Sequence, residues 1–271
     1  MRRLLRWTRV HLTGVVVAML VPPLLMGQER RLNQQTTDEL LRQLQSTEWT
    51  ERATGFYKLR SDSRSLNRPD VRRALLSLLE AELTSGEKIF RTSLQGGAAP
   101  MTYGEEYAEY VGWVGQTVDG FADWNDPHQA CLLIHQAYNP DGAYARKIAS
   151  HPRTAVPCLL TMFGSDLGGF RRKAAPIFVQ ILATRQSAAD AQTTEKMKQV
   201  IRQALRDPDD GVRVDVIVAL DRFGGEDMIP ALKQVADTDP APEVQGHSIR
   251  KRAAEAITSI QKRAAQKTPK Q

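Results

Sequence analysis

Residues 205–260 read LRDPDDGVRVDVIVALDRFGGEDMIPALKQVADTDPAPEVQGHSIRKRAAEAITSI. Two copies of one pattern lie inside this stretch. GVRVDVIVAL supplies Val212, Arg213, Val216, Ala219 and Leu220, and SIRKRAAEAI supplies Ile249, Arg250, Ala253, Ala256 and Ile257, each 37 residues later. A third copy, FRRKAAPIF, places Phe170, Arg171, Ala174, Ile177 and Phe178 a further 42 residues upstream. Self-similarity at this period points to stacked helical hairpins, because one hairpin cannot bury its apolar face alone. The apolar members fall at i, i+4, i+7 and i+8, one face of a helix. The arginine can lay its methylenes along that seam while the guanidinium reaches out. Asp209 and Asp210 stand just before one arginine, and Asp237 and Asp239 precede the next. These acids are expected to cap helix starts and to pair with arginines of their own or the adjacent unit.

The partner helix of each unit has its own signature. MIPAL (228–232) matches AVPCL (155–159), with proline third in both. Three residues earlier stand Asp227 and Thr154, both good N-caps. That places Pro230 and Pro157 in a first helical turn, where a missing N–H costs nothing.

The unit "acidic cap, I-P-x-L, turn, acid, V-R-x-x-A-x-x-A-L" resembles the HEAT repeat, in the short form also found in bilin-lyase-like proteins. The resemblance is close over 155–260 and weaker over 36–153. It implies an all-α protein, an alpha-alpha superhelix: a HEAT-like solenoid of about five to six helical hairpins.

The 271 residues carry a formal net charge of +6. Residues 1–27 hold four arginines and no acids, and the last 22 residues hold seven Lys/Arg against one Glu. The body from 28 to 249 is therefore −4. A solenoid that grips nucleic acid should be basic along its body, so this distribution argues against that partner. Residues 1–27, MRRLLRWTRVHLTGVVVAMLVPPLLMG, combine Arg2, Arg3, Arg6 and Arg9 with an apolar run. That is the shape of a signal peptide or an N-terminal membrane anchor, with the body outside. The expected address is exported, periplasmic or extracellular, with possible attachment to the inner membrane through this segment. Cys131 and Cys158 occupy matching places in HQACLL and AVPCLL. Equivalent positions on stacked helices lie about one interaxial distance apart, roughly 8–10 Å. A disulfide needs Cα atoms closer than about 7 Å, so two free, buried cysteines are expected.

Four segments follow from the pattern: 1–27 as above; degenerate HEAT-like repeats over 28–153, interrupted by an irregular insertion at 84–104; better-formed repeats over 154–262; and a basic disordered tail over 263–271. Val71, Leu75, Leu78 and Leu79 form the stripe of a helix at 70–83. The aromatics of 105–124 (Tyr107, Tyr110, Trp113, Phe121, Trp124) sit at helical spacing and read as core. Asn125-Asp126-Pro127 caps the next helix. AYARKIASHP closes a degraded unit with Arg146, and 185–196 is a polar linker.

No catalytic motif, cofactor signature or metal spacing is present. His128 and His135 share a helix face without an acidic or cysteine partner to complete a site. The expected function is a non-enzymatic exported scaffold that mediates protein–protein interaction through a concave helical face. Outward positions on the arginine-bearing helices, Arg172, Lys173, Asp215, Arg222, Lys251, Arg252 and Glu255, are the candidate contacts for a protein partner. The resemblance implies one alternative, a bilin-lyase-like enzyme or carrier. A DNA-binding solenoid is a third, opposed by the acidic body and by export.

Overall fold

The computed structural model describes residues 36–94, 104–136, 142–184, 190–241 and 248–267. The signal or anchor segment of 1–27 lies outside them. Among the described residues all regular structure is helical, and the molecule is an all-α solenoid. No helix there is long and apolar enough to cross a membrane.

Helix α1 covers 36–43, followed by α2 (Trp49–Ser61), the short α3 (Ser63–Leu66), α4 (Pro69–Leu94), α5 (Glu105–Asp119), α6 (Pro127–Gln136) and α7 (Gly142–Ala149). The repeats proper follow as hairpins: α8 (Pro152–Phe163) with α9 (Gly168–Ala183), α10 (Ala191–Ala204) with α11 (Asp210–Phe223), and α12 (Ile229–Thr238) with α13 (Ile249–Lys267). The arginine-bearing helices α9, α11 and α13 stack side by side; α8 and α10 pack against α9, and α12 against α13.

The periodic apolar positions make this stack. Ala174, Ile177 and Phe178 of α9, Val212, Val216 and Leu220 of α11, and Ala253 and Ala256 of α13 are all buried. Each fully buried Leu, Ile or Phe contributes about 1.5–3 kcal/mol relative to exposure, so the seam outweighs any single polar contact. Val71, Leu75, Leu78 and Leu79 are buried on α4, and Tyr107, Tyr110 and Trp124 are core as their spacing predicts. Asp126 caps α6 by accepting from the N–H groups of His128 (2.9 Å) and Gln129 (3.0 Å). Asp209 does the same for α11 through Gly211 N–H at 2.8 Å.

Several boundaries differ from the sequence expectation. Helix α4 continues to Leu94, so the irregular segment after it is shorter than 84–104, and its remainder (95–103) lies outside the described residues. Asp190 accepts from Thr193 N–H at 2.7 Å and starts α10 inside the supposed linker. Helix α13 runs to Lys267, past the expected start of the tail, because Arg263 is anchored to backbone carbonyls of the α11 end. The prolines also divide. Pro230 sits in the first turn of α12 as expected, but Asp227 does not cap it; its carboxylate pairs with Lys198 Nζ at 2.6 Å. Pro157 lies inside α8, which begins at Pro152. Thr154 is therefore helical rather than a cap, and its hydroxyl donates to Trp124 O at 2.9 Å.

The cysteines overturn the expectation outright. Cys131 on α6 and Cys158 on α8 form a disulfide, with Cα atoms 5.5 Å apart. Interaxial distance is the wrong measure for residues that face each other. Each Cα stands about 2.3 Å off its axis, so facing positions on helices 8–10 Å apart approach to roughly 3.5–5.5 Å.

Candidate interaction surface

The motif arginines come first, because the sequence pairs them with acids of their own or the adjacent unit. Three of them, Arg52, Arg171 and Arg213, are used internally and in one way. Arg171 places Nε 2.7 Å and Nη2 3.0 Å from the two carboxylate oxygens of Asp207, in the next unit. Its Nη1 donates to Ser165 O and Asp166 O, each at 2.9 Å, in its own unit's turn. Arg213 repeats this with Asp239 (2.7 and 3.2 Å) and with Asp207 O (2.7 Å) and Pro208 O (3.4 Å). Arg52 does so in the first hairpin, with Glu82 of α4 (2.6 and 3.1 Å) and with Ser46 O (2.8 Å) and Thr47 O (2.9 Å). Arg250 directs Nε to Asp239 O at 2.7 Å. Each of the first three guanidiniums thus ties together the orphan carbonyls of its own turn and clamps a carboxylate of the next unit.

Sequence reasoning found Asp239 but missed Asp207 and Glu82. A signal existed for one of them. Asp207 and Asp239 each precede a proline and close a turn with their own carboxylate, accepting from Asp209 N–H and Ala241 N–H at 2.9 Å. Glu82 carries no such mark. It is buried on α4 and also accepts the hydroxyls of Tyr107 (2.7 Å) and Tyr110 (3.0 Å). Burial, and then the neighbouring Glu82 charge, push the Tyr110 hydroxyl well above its usual pKa. Asp237 is exposed. So is Arg146 of the degraded unit, which clamps no carboxylate among the described residues.

The candidate contact residues do not form one set. Arg172 and Asp215 pair at 2.9 Å across α9 and α11. Lys173 is half-buried; its ammonium donates to His135 O at 2.7 Å, and burial lowers its pKa to about 8. Arg252 is half-buried, while Arg222, Lys251 and Glu255 are exposed. Beside Arg222, Phe223 is 44% exposed, which the sequence did not single out. Phe223 lines a groove of about 440 Å³ between α9, α10 and α11, with Val179, Leu182 and Leu220 as its apolar floor. The Lys198–Asp227 pair stands in the same lining.

The histidines also divide. His128 approaches Glu80 at 3.6 Å. His135 packs edge-on against Phe170 and, contrary to the sequence expectation, has both cysteine sulfurs within 4.8 Å of a ring nitrogen. Burial first, and the Lys173 charge second, depress its pKa.

A family model described as HEAT repeats matches residues 178–257, from within α9 into α13. That span holds the Arg213–Asp239 clamp and the seam residues Val212, Val216, Leu220, Ala253 and Ala256. Over those residues the chain is similar to HEAT repeats. No curated protein and no solved structure matches it. Within the stack, Arg52, Arg171 and Arg213 each join one unit to the next.

Proposed function

We propose that this HEAT-like repeat protein is a non-enzymatic exported scaffold that engages a protein partner through the stacked helices α9, α11 and α13 and the groove beside them. The supporting observation is Phe223, exposed in the lining of a groove with an apolar floor and an ion pair, and flanked by Arg222. Exposed aromatics set among charged residues are the usual anchors of protein interfaces. Because the motif arginines are spent on the clamps, contact falls to Arg222, Lys251 and Glu255 with Phe223. Export is supported by the arginine-led apolar segment at 1–27 and by the disulfide, since such bonds persist in oxidising compartments. The same disulfide engages both cysteines of the chain, which leaves a bilin-lyase-like alternative without a free thiolate.

The test is photocrosslinking in cells, with the reactive group at position 223 or 251. One recurrent protein adduct is expected, abolished by Arg222→Glu in the same chain and retained with Lys58→Glu on α2. An adduct pattern indifferent to Arg222→Glu and Lys251→Glu would remove the proposed face. A reporter active only after export, fused behind residues 1–27, tests the address; an inactive fusion in stably expressing cells refutes it.

A further inference from the structure

We propose that Cys131, Cys158 and His135 form a redox-gated site for a soft d10 cation such as Zn²⁺, closed by the disulfide and formed when a dithiol reductant opens it. This is independent of the scaffold reading. Cys131 and His135 lie one turn apart on α6, hence on one face. Cys158 reaches the same point from α8. The two sulfurs and an imidazole nitrogen lie within 4.8 Å of one another. Tetrahedral zinc, with bonds of about 2.3 Å to sulfur and about 2.0–2.1 Å to nitrogen, holds its ligand atoms roughly 3.6–3.8 Å apart. The bonded sulfurs need only rotate apart, and the imidazole need only close by about 1 Å, while both helices stay in place.

The donor set selects the ion. Two thiolates and an imidazole suit Zn²⁺ or Cu⁺ rather than Mg²⁺ or Ca²⁺. Three protein ligands leave a fourth position for water or another donor. The ring has support on several sides: Phe170 lies 5.1 Å away between ring centroids, Lys173 Nζ holds the His135 carbonyl at 2.7 Å, and Glu87 of α4 faces it electrostatically.

The chemistry balances in two steps. A dithiol transfers two electrons and two protons to the disulfide, leaving two thiols here and a disulfide on the reductant. Zn²⁺ then displaces the two thiol protons as it binds. One covalent bridge between α6 and α8 is thereby exchanged for a coordinate one, so the two helices stay joined in either state.

The experiment uses the purified full-length chain, oxidised or reduced with a phosphine that is then removed under argon. Zn²⁺ is titrated against a chromophoric chelator, and Co²⁺ reports thiolate ligation by its charge-transfer absorption. The reduced chain is expected to bind about one Zn²⁺ with release of about two protons. His135→Ala, whose carbonyl still accepts from Lys173, is expected to weaken binding at least about tenfold. The oxidised chain should not bind at this site. The proposal is overturned if the reduced chain keeps its helicity and binds no Zn²⁺, if His135→Ala binds as wild type does, or if the oxidised chain binds equally well. Should reduction cost helicity, failure of Zn²⁺ to restore it also overturns the proposal.

Discussion

Truncating Asp239 to alanine tests the claim that the repeats are cemented by their arginines. The carboxylate is 2% exposed and its partner Arg213 6% exposed, so water cannot replace the interaction. Asp239→Ala removes two charge-assisted bonds to Arg213, at 2.7 and 3.2 Å, and the turn-closing bond from Ala241 N–H. Breaking one side of a buried pair costs about 3–5 kcal/mol, because the survivor is left buried and unpaired. Here Arg213 keeps Asp207 O at 2.7 Å and Asp210 at 2.6 Å, so the lower end, about 3 kcal/mol, is expected. For a chain of this size that is a loss of roughly 6–12 °C in Tm. Arg213→Met strands the carboxylate instead and should cost at least as much. The double variant removes both charges, and its loss should fall short of the sum of the singles by about 2 kcal/mol or more. Urea unfolding followed by circular dichroism measures the cycle. Amide exchange should place the loss in α11–α13 while α2 stays protected, since repeats couple mainly to their neighbours. A cost below about 1 kcal/mol for Asp239→Ala, or a cycle additive within about 0.5 kcal/mol, would refute the clamp as cement.

Arg263 donates to the carbonyls of Leu220, Asp221 and Gly224, so Arg263→Ala should fray the end of α11 at a cost of about 2 kcal/mol. Faster amide exchange at 221–225 is the readout, and unchanged protection there contradicts the assignment. A Cβ at Gly168 would overlap the carboxylate of Asp209, which caps α11. Gly168→Ala should therefore cost about 1–2 kcal/mol, with partial recovery in the Gly168→Ala/Asp209→Ser double variant, whose cap is shorter. The Arg68 hydrogen bond holds the Asp70 carboxyl down at about 2, below its ordinary 3.8. A depressed carboxylate contributes stability that is present above its unfolded pKa and is lost as pH falls through the folded one. Wild type and Asp70→Asn should therefore differ above about pH 4 and converge near pH 2; a pH-independent difference would exclude the ionic origin. The Cys131–Cys158 bond spans 27 residues. A closed loop of that length predicts a loss of about 3.5 kcal/mol on reduction without metal, and an unchanged unfolding midpoint would show that the bridge does not constrain the unfolded chain.

The recurring R-x-x-A-x-x-A pattern announced which faces would be buried, and Ala174, Val216 and Ala253 lie where it placed them. Asp209 was recognisable as a cap because capping is a contact between residues two or three apart. Glu82 was not recognisable as a partner, because it lies 30 residues from its arginine and many carboxylates could have competed, whereas Asp207 shared with Asp239 only the mark of an acid before a proline. The candidate surface was legible in composition and poorly legible in detail. Arg172 and Lys173 were marked as outward positions, yet one is paired to Asp215 and the other is anchored to the His135 carbonyl. Exposed Phe223 was passed over, since an aromatic near a helix end reads as core unless its neighbours are known.

The sequence by itself determined the all-α repeat architecture, the buried seam and the caps at Asp126 and Asp209, because period and capping depend on residues a few places apart. Only the tertiary structure decided which carboxylate each arginine clamps, that Cys131 and Cys158 join beside His135, and that a groove opens at Phe223. Those follow from how closely and at what rotation one helix meets the next, and side-chain packing sets that geometry along the whole stack.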